Sequence, residues 1–424
     1  MKRRSLILAW TLVIAGSANA ATKWIGTWAA APQPPIPGTA RTFRNQTLRL
    51  IVHTSAGGAR VRIKLSNILG DHPLVVGAAH IARRAAAADI DPATDRALKF
   101  HGQSSATIPA RSMIVSDPVD LDLPALSDLA ISLFFPEATE ATTGHVMAKQ
   151  TNYVSTETGD STASANFPVD KTIRSWPFLA GVDVETSPRG AAIVAFGSSL
   201  TDGDGTTSDR NKRYPDVLAE RLQNAAGGHA ELGVLNEGII GNRLLSDVLP
   251  PQFSKQFGGT LGEAGLSRFQ RDVLDQSGVR YVIVGLGIND IAFPGSFTSQ
   301  SEAVSATTLI SGYRQLIKRA HRKGFRVIGT TMPPFENAFF KDPPLTFFTP
   351  EKEAVRQTVN AWILSSKEFD GVVDFDAVVR DPGRPTQILP SYDSGDHLHP
   401  NDAGSAAQAN AIPLSLFTPL PRSD

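Results

Sequence analysis

The spacing of apolar residues changes partway along this chain. Up to about Glu185 they recur mostly at every second position; after Pro188 they come in short unbroken runs separated by helical patterns. A chain that switches period in this way is neither one uniform sheet nor one helical bundle. At 424 residues it is long enough to bury a core on each side of the switch.

In the first half, Leu48, Leu50 and Val52 alternate, and in Arg60-Val61-Arg62-Ile63-Lys64-Leu65 the basic residues face one way and the apolar ones the other. The turn-forming Ser55-Ala56-Gly57-Gly58 lies between these runs, so they are expected to pair as a hairpin. Val119, Leu121 and Leu123, then Leu129, Ile131 and Leu133, continue the alternation, with turns at Ile108-Pro109, Asp117-Pro118 and Leu123-Pro124. Antiparallel strands with one wet face, forming a β-sandwich-like domain over residues 21–185, are predicted. Thr158 to Asn166 reads as a loop.

In the second half, residues 186–424, the apolar runs are Ala191 to Phe196, Val234 to Leu235, Tyr281 to Leu286, Phe325 to Thr330 and Val372 to Phe375. One intervening helix carries Ile310, Tyr313, Ile317 and Ala320 on one face, gathers cations in its last turn and stops at Gly324. Another begins with Thr349 as N-cap, Pro350 at the first position and Glu351 and Glu353 in the first turn, and buries Val355, Val359, Trp362 and Ile363. Strands alternating with helices predict a parallel sheet covered on both faces.

Composition excludes several functions. With 41 basic and 41 acidic residues there is no electrostatic footprint for nucleic acid. The absence of cysteine removes disulfides, thiolate nucleophiles and cysteine-held zinc. At the N-terminus, Lys2, Arg3 and Arg4 precede an apolar run from Leu6 to Ala15 and then Ala18-Asn19-Ala20. This is the layout of a signal peptide over residues 1–20, cleaved after Ala20, with an apolar run too short to span a bilayer. A secreted or periplasmic protein is expected, with no membrane span in the mature chain. Removing three of 41 basic residues against 41 acidic ones leaves a formal charge of −3.

Functional groups of an open parallel sheet gather at the carboxyl ends of its strands. The first strand ends in Phe196-Gly197-Ser198-Ser199-Leu200-Thr201-Asp202-Gly203, and the second runs into Asn236-Glu237-Gly238-Ile239-Ile240-Gly241-Asn242. The third leads to Gly287-Ile288-Asn289-Asp290, and after the fifth comes Asp396-His397-Leu398-His399-Pro400. These ends supply a hydroxyl, a bare backbone amide, a side-chain amide and a carboxylate–imidazole pair.

Four such blocks in this order resemble the SGNH (GDSL-type) hydrolase family of secreted serine esterases, over about Pro188 to Pro413. The resemblance implies a three-layer flavodoxin-like α/β domain and a carboxylesterase working through an acyl-enzyme, with no cofactor or metal. It implies Ser199 as nucleophile, activated by His399, with Asp396 holding the imidazole tautomer. It also implies an oxyanion hole made of the Ser199 and Gly241 backbone N–H groups and the Asn289 side-chain amide. The family usually carries Asp before the nucleophile; here Ser198 stands there and is expected to act as an N-cap in its place. Short-chain acyl or carbohydrate esters, acetyl or feruloyl, are the implied substrates, as small molecules or polysaccharides. Longer acyl or aryl esters, and an inactive carbohydrate-binding protein, are the alternatives.

Other reactive-looking residues have plainer roles. His397, one residue after Asp396, is expected to face solvent or pack at the cleft rim. His53, His72, His80, His101, His145, His229 and His321 are expected at the surface or in turns, and Asp290 is expected to cap the helix after the third strand. Asp202-Gly203-Asp204-Gly205 departs from a calcium loop at Thr207. Trp24 and Trp28 fit an N-terminal anchor or a sugar platform. Phe293, Phe335, Phe339, Phe340, Phe347 and Phe348 fit either an acyl or aryl pocket or loop packing. A nucleophile elbow of the G-x-S-x-G kind is broken by Thr201, and no nucleotide-binding glycine motif follows the first strand.

Overall fold

The computed structural model describes residues 22–157, 159–225, 229–247, 257, 259–341 and 344–417. The proposed signal peptide and its cleavage site lie outside the described residues.

Two large antiparallel sheets, with three two-stranded ones beside them, form the described residues of the first half. One runs Lys23–Ala29, Leu179–Thr186, Gly58–Ser66, Met113–Val115, with Val119–Leu123 also on Gly58–Ser66. The other runs Val169–Ile173, Asn152–Ser155, Gln46–His53, Asp128–Phe135, Ala78–Ala86. Leu48, Leu50 and Val52 of one sheet meet Val61, Ile63 and Leu65 of the other in a single core, as alternation predicts for a sandwich.

The expected hairpin does not form. Gln46–His53 pairs with Asp128–Phe135 and Asn152–Ser155, whereas Gly58–Ser66 pairs with Leu179–Thr186. The short link crosses from sheet to sheet: Thr54 N–H donates to Ser127 O at 2.9 Å and Ser55 Oγ donates to Thr27 O at 2.6 Å. Two alternating strands joined by a tight link bury their apolar faces against each other only when they lie in facing sheets; a hairpin would put both faces on the same side.

The basic face of Gly58–Ser66 stays wet only toward Arg60, whose side chain is 41% exposed. Arg62 and Lys64 each pair with the buried Asp183 at 3.0 Å. Lys64 also donates to Gln276 at 3.1 Å and Arg62 to Ser277 at 3.5 Å, so the second half closes over this face. Trp28 is buried edge-on against Trp176 with ring centroids 4.9 Å apart, an anchor rather than a platform.

The second half is built on five parallel strands, Ala191–Gly197, Leu232–Gly238, Val279–Gly285, Arg326–Thr330 and Gly371–Val373, ordered second, first, third, fourth, fifth. Ala191, Ile193 and Ala195 of the first strand pack against Tyr214, Leu218 and Ala409, while Ala192, Val194 and Phe196 pack against Leu244 and Phe269 on the other face. Helices Tyr214–Asn224 and Asp402–Ala411 cover one face, and Ala306–His321 and Pro350–Ser365 the other. Burial on both faces is why these runs lack alternation. Helix Pro350–Ser365 starts as the sequence predicts, with Thr349 accepting the Lys352 N–H at 3.3 Å. Strand order reverses at the first strand, so its carboxyl end opens into the crevice between its neighbours.

Candidate active site

Gly197 ends the first strand, and Ser199 opens the one-turn helix Ser199–Asp202. The Ser198 side chain makes no capping hydrogen bond, and among the described residues its buried hydroxyl has no partner. The expected N-cap role of Ser198 is therefore not taken up. Backbone bonds hold the turn instead: the Asp202 N–H donates to Ser198 O at 2.9 Å and the Ser198 N–H to Gly285 O at 3.3 Å. Gly238 allows the second strand to touch this helix, because a Cβ there would lie 2.3 Å from the Asp202 nitrogen.

Ser199 Oγ lies 2.8 Å from His399 Nε2, and His399 Nδ1 lies 2.5 Å from Asp396 Oδ2. Ser199 and His399 are both buried. The other Asp396 oxygen accepts the backbone N–H groups of Leu398 and His399 at 3.0 and 2.9 Å, which fixes the carboxylate. Burial works against its charge, yet the hydrogen bond and charge of His399 and these two amides hold its pKa well below the usual carboxylate range. Burial likewise opposes an imidazolium at His399, but Asp396, together with the charge of Asp204, raises its pKa. An ionised Asp396 accepts Nδ1–H, leaving Nε2 free to take the serine proton.

Gly241 and Asn289 converge on the same pocket as Ser199. Among the described residues, neither the Ser199 nor the Gly241 N–H has a protein acceptor. Gly241 has φ +69, a left-handed conformation that favours glycine, and a Cβ there would come within 2.8 Å of the Leu261 side chain and displace it. The Asn289 amide donates one N–H to Asn242 O at 2.9 Å, which aims the group.

Asp290 sits inside helix Ile288–Ala292 and does not cap it. Its carboxylate accepts the N–H groups of Leu244 and Leu245 at 2.7 and 2.9 Å, anchoring the loop after the second strand, and burial pushes its pKa up to about 6. His397 faces solvent as expected, its imidazole bonded to Asp393.

Sequence reasoning missed three supports. Arg268, fully buried, donates to Gly197 O and Glu237 O at 2.9 Å and to Asn242 Oδ1 and Asp272 Oδ2 at 3.0 Å, joining the ends of the first two strands. Its spacing to Asp272 was the visible signal. In the sequence Asp204 reads only as part of a glycine-rich loop. His145, expected at the surface or in a turn, is instead buried, with Nε2 2.8 Å from Asp202 Oδ1 and Nδ1 2.9 Å from Ala31 O. Nothing in its local sequence marks a partner far away in the chain.

The cavity beside Ser199 measures about 280 Å³ and is walled by Phe293, Phe297, Phe340 and Phe347, with Phe257 and Leu261 beyond Gly241. Phe335 and Phe348 pack on each other instead of lining it. No group of three His, Asp or Glu side chains is placed to hold a metal ion among the described residues.

Residues 195–407 match the GDSL-like Lipase/Acylhydrolase family. No curated protein matches the chain. Solved structures similar to it include the aryl esterase of M. smegmatis, 18% identical, covering 52% of this chain and 96% of that one, with a TM-score of 0.37. A GDSL-like lipase from Bacteroides thetaiotaomicron is 18% identical over 53% of this chain and 87% of that one, with a TM-score of 0.34. An alpha/beta hydrolase from the metagenome of Lake Arreo is 20% identical over 54% and 94%, with a TM-score of 0.37.

Proposed function

Because the chain belongs to the GDSL-like lipase/acylhydrolase family, we propose that it is an exported serine ester hydrolase that works through an acyl-enzyme. The observation that carries this is the continuous line from Asp396 through His399 to Ser199 Oγ, opening into the pocket shared with Gly241 and Asn289.

His399 Nε2 takes the Ser199 proton as Oγ attacks the ester carbonyl. The resulting oxyanion is held by the Ser199 and Gly241 N–H groups and the free Asn289 N–H. His399 then gives the proton to the departing alcohol, leaving the acyl group on Ser199. Water, deprotonated by the same nitrogen, attacks the acyl-enzyme; the acid leaves and Oγ regains its proton.

The aromatic walls support an acyl side larger than acetyl. Leu261 packs on Gly241 and Phe293 lies one turn beyond Asn289, so apolar surface continues from the oxyanion donors. Aromatic acyl groups of the feruloyl kind, or medium-length chains, fit this lining better than acetate.

Hydrolysis of p-nitrophenyl esters from acetate to palmitate tests the proposal, with Ser199→Ala and Ser198→Ala alongside. Turnover peaking at medium chains, lost in Ser199→Ala and kept in Ser198→Ala, is expected. Full activity in Ser199→Ala would refute the nucleophile. N-terminal sequencing of protein exported by a bacterial host tests the export step: a chain starting at Ala21 is expected, and an intact Met1 would sink it.

A further inference from the structure

His145 belongs to the first half of the chain but is buried against the nucleophile helix, as is Asp202; their side chains are 3% and 1% exposed. The Ala31 carbonyl can only accept, so Nδ1 carries a proton. Nε2 faces Asp202 Oδ1 at 2.8 Å, and the other Asp202 oxygen accepts the Ile240 N–H at 3.1 Å. An imidazolium thus donates to a carboxylate whose second oxygen holds the residue just before Gly241. Burial opposes this charge, but the charge and hydrogen bond of Asp202 and the Ala31 carbonyl outweigh it; Arg213, itself paired with Asp216 at 2.8 Å, is the other nearby cation.

The same N-terminal segment grips the opposite wall. Gln33 pairs through its backbone with Gly144, and its side chain accepts the Val146 N–H at 3.2 Å and donates to Thr260 O. Thr260 Oγ1 donates to Pro35 O at 3.1 Å. Leu261 follows, packed on Gly241, with its carbonyl held by the Asn242 amide at 2.8 Å.

We infer that the N-terminal β half is a working part of the hydrolytic site: His145 fixes Asp202, and through Asp202 it fixes the Ile240-Gly241 turn whose amide meets the oxyanion. His145 is a positioning residue and touches no substrate. The inference rests on the esterase proposal for what the Gly241 amide does, but the clamp on the turn is independent of it.

The test compares His145→Ala and Asp202→Asn with wild type, reading p-nitrophenyl butyrate kinetics and amide hydrogen exchange over residues 236–244. In Asp202→Asn the amide oxygen can keep the Ile240 N–H while its NH₂ donates to a neutral His145, so the geometry survives without the charge. Displacing the turn in His145→Ala is expected to lower kcat by about tenfold to a hundredfold with KM little changed. Exchange over 236–244 should rise while the central strands stay protected, and Asp202→Asn, which can keep both bonds, should lose less kcat than His145→Ala; a larger loss in Asp202→Asn would overturn the relay through its geometry. If the alanine variant does not fold, His145→Gln, which can still donate to Asp202, takes its place and should retain more kcat than His145→Leu. Unchanged kcat and exchange in folded His145→Ala would overturn the inference, as would a loss confined to KM. A wild-type protein silent on every ester would remove the esterase proposal, while hydrogen exchange would still decide the clamp.

Discussion

Asp204 stands with a carboxylate oxygen 4.0 Å from His399 Nε2, the nitrogen that holds Ser199 Oγ. Lys149, from the first half of the chain, lies 3.6 Å from the other Asp204 oxygen. A second carboxylate on the reactive side of the imidazole favours its protonated form.

That relationship sets a pH dependence. In the proposed mechanism His399 acts as a base only when neutral, and Asp204 is among the groups that raise its pKa above the ordinary histidine value. Activity should therefore rise with pH through that raised value. Asp204→Asn is expected to move the acidic limb of the kcat/KM profile to lower pH. A limb that stays in place would show that Asp204 does not act on His399.

The proposed oxyanion donors make a kinetic prediction. Asn289→Ala should lower kcat about a hundredfold to a thousandfold, corresponding to roughly 2.7–4 kcal/mol, with the fold intact. Gly241→Ala should lose at least as much, because it adds left-handed backbone strain and the contact with Leu261. Steady-state kinetics beside circular dichroism would separate lost catalysis from lost structure.

Glu237 makes a prediction about stability. It is fully buried, with one oxygen taking the Gln276 amide at 2.9 Å and the other without a partner among the described residues. Burial, then the charge of Asp272, raises its pKa well above the ordinary value. The folded state therefore binds a proton that the unfolded state releases, so stability falls as pH rises above the unfolded pKa. Glu237→Gln removes that loss. Urea unfolding should find the variant more stable than wild type at pH 8, with the difference shrinking in acid; a variant weaker at pH 8 would contradict the shifted pKa.

The pocket predicts selectivity. Phe340 packs on Phe257 and Phe297 with ring centroids 5.8 and 5.1 Å apart and lines the cavity. Phe340→Ala should shift the preferred p-nitrophenyl ester to longer chains. An unchanged chain-length profile would place the acyl group elsewhere.

The sequence by itself determined the layers and pointed to the residues that gather in one pocket, because both are written in short stretches. Doubly buried strands show as unbroken apolar runs, and helix ends show as Thr349-Pro350 and Gly324. Ser199, Gly241, Asn289 and the Asp396–His399 pair each follow or neighbour such an element. Only the tertiary structure decided what crosses between stretches. The link after His53 could be a hairpin or a crossing, and facing apolar surfaces chose the crossing. Ser198 and Asp290 had plausible local capping roles, but in the folded chain backbone bonds hold one turn and Asp290 reaches Leu244 and Leu245. His145 meets Asp202 across 57 residues, and Arg268 meets Gly197 across 71. Such contacts form because a buried polar group left without a partner costs more than the chain spends in bringing one to it, and no local pattern records which partner that is.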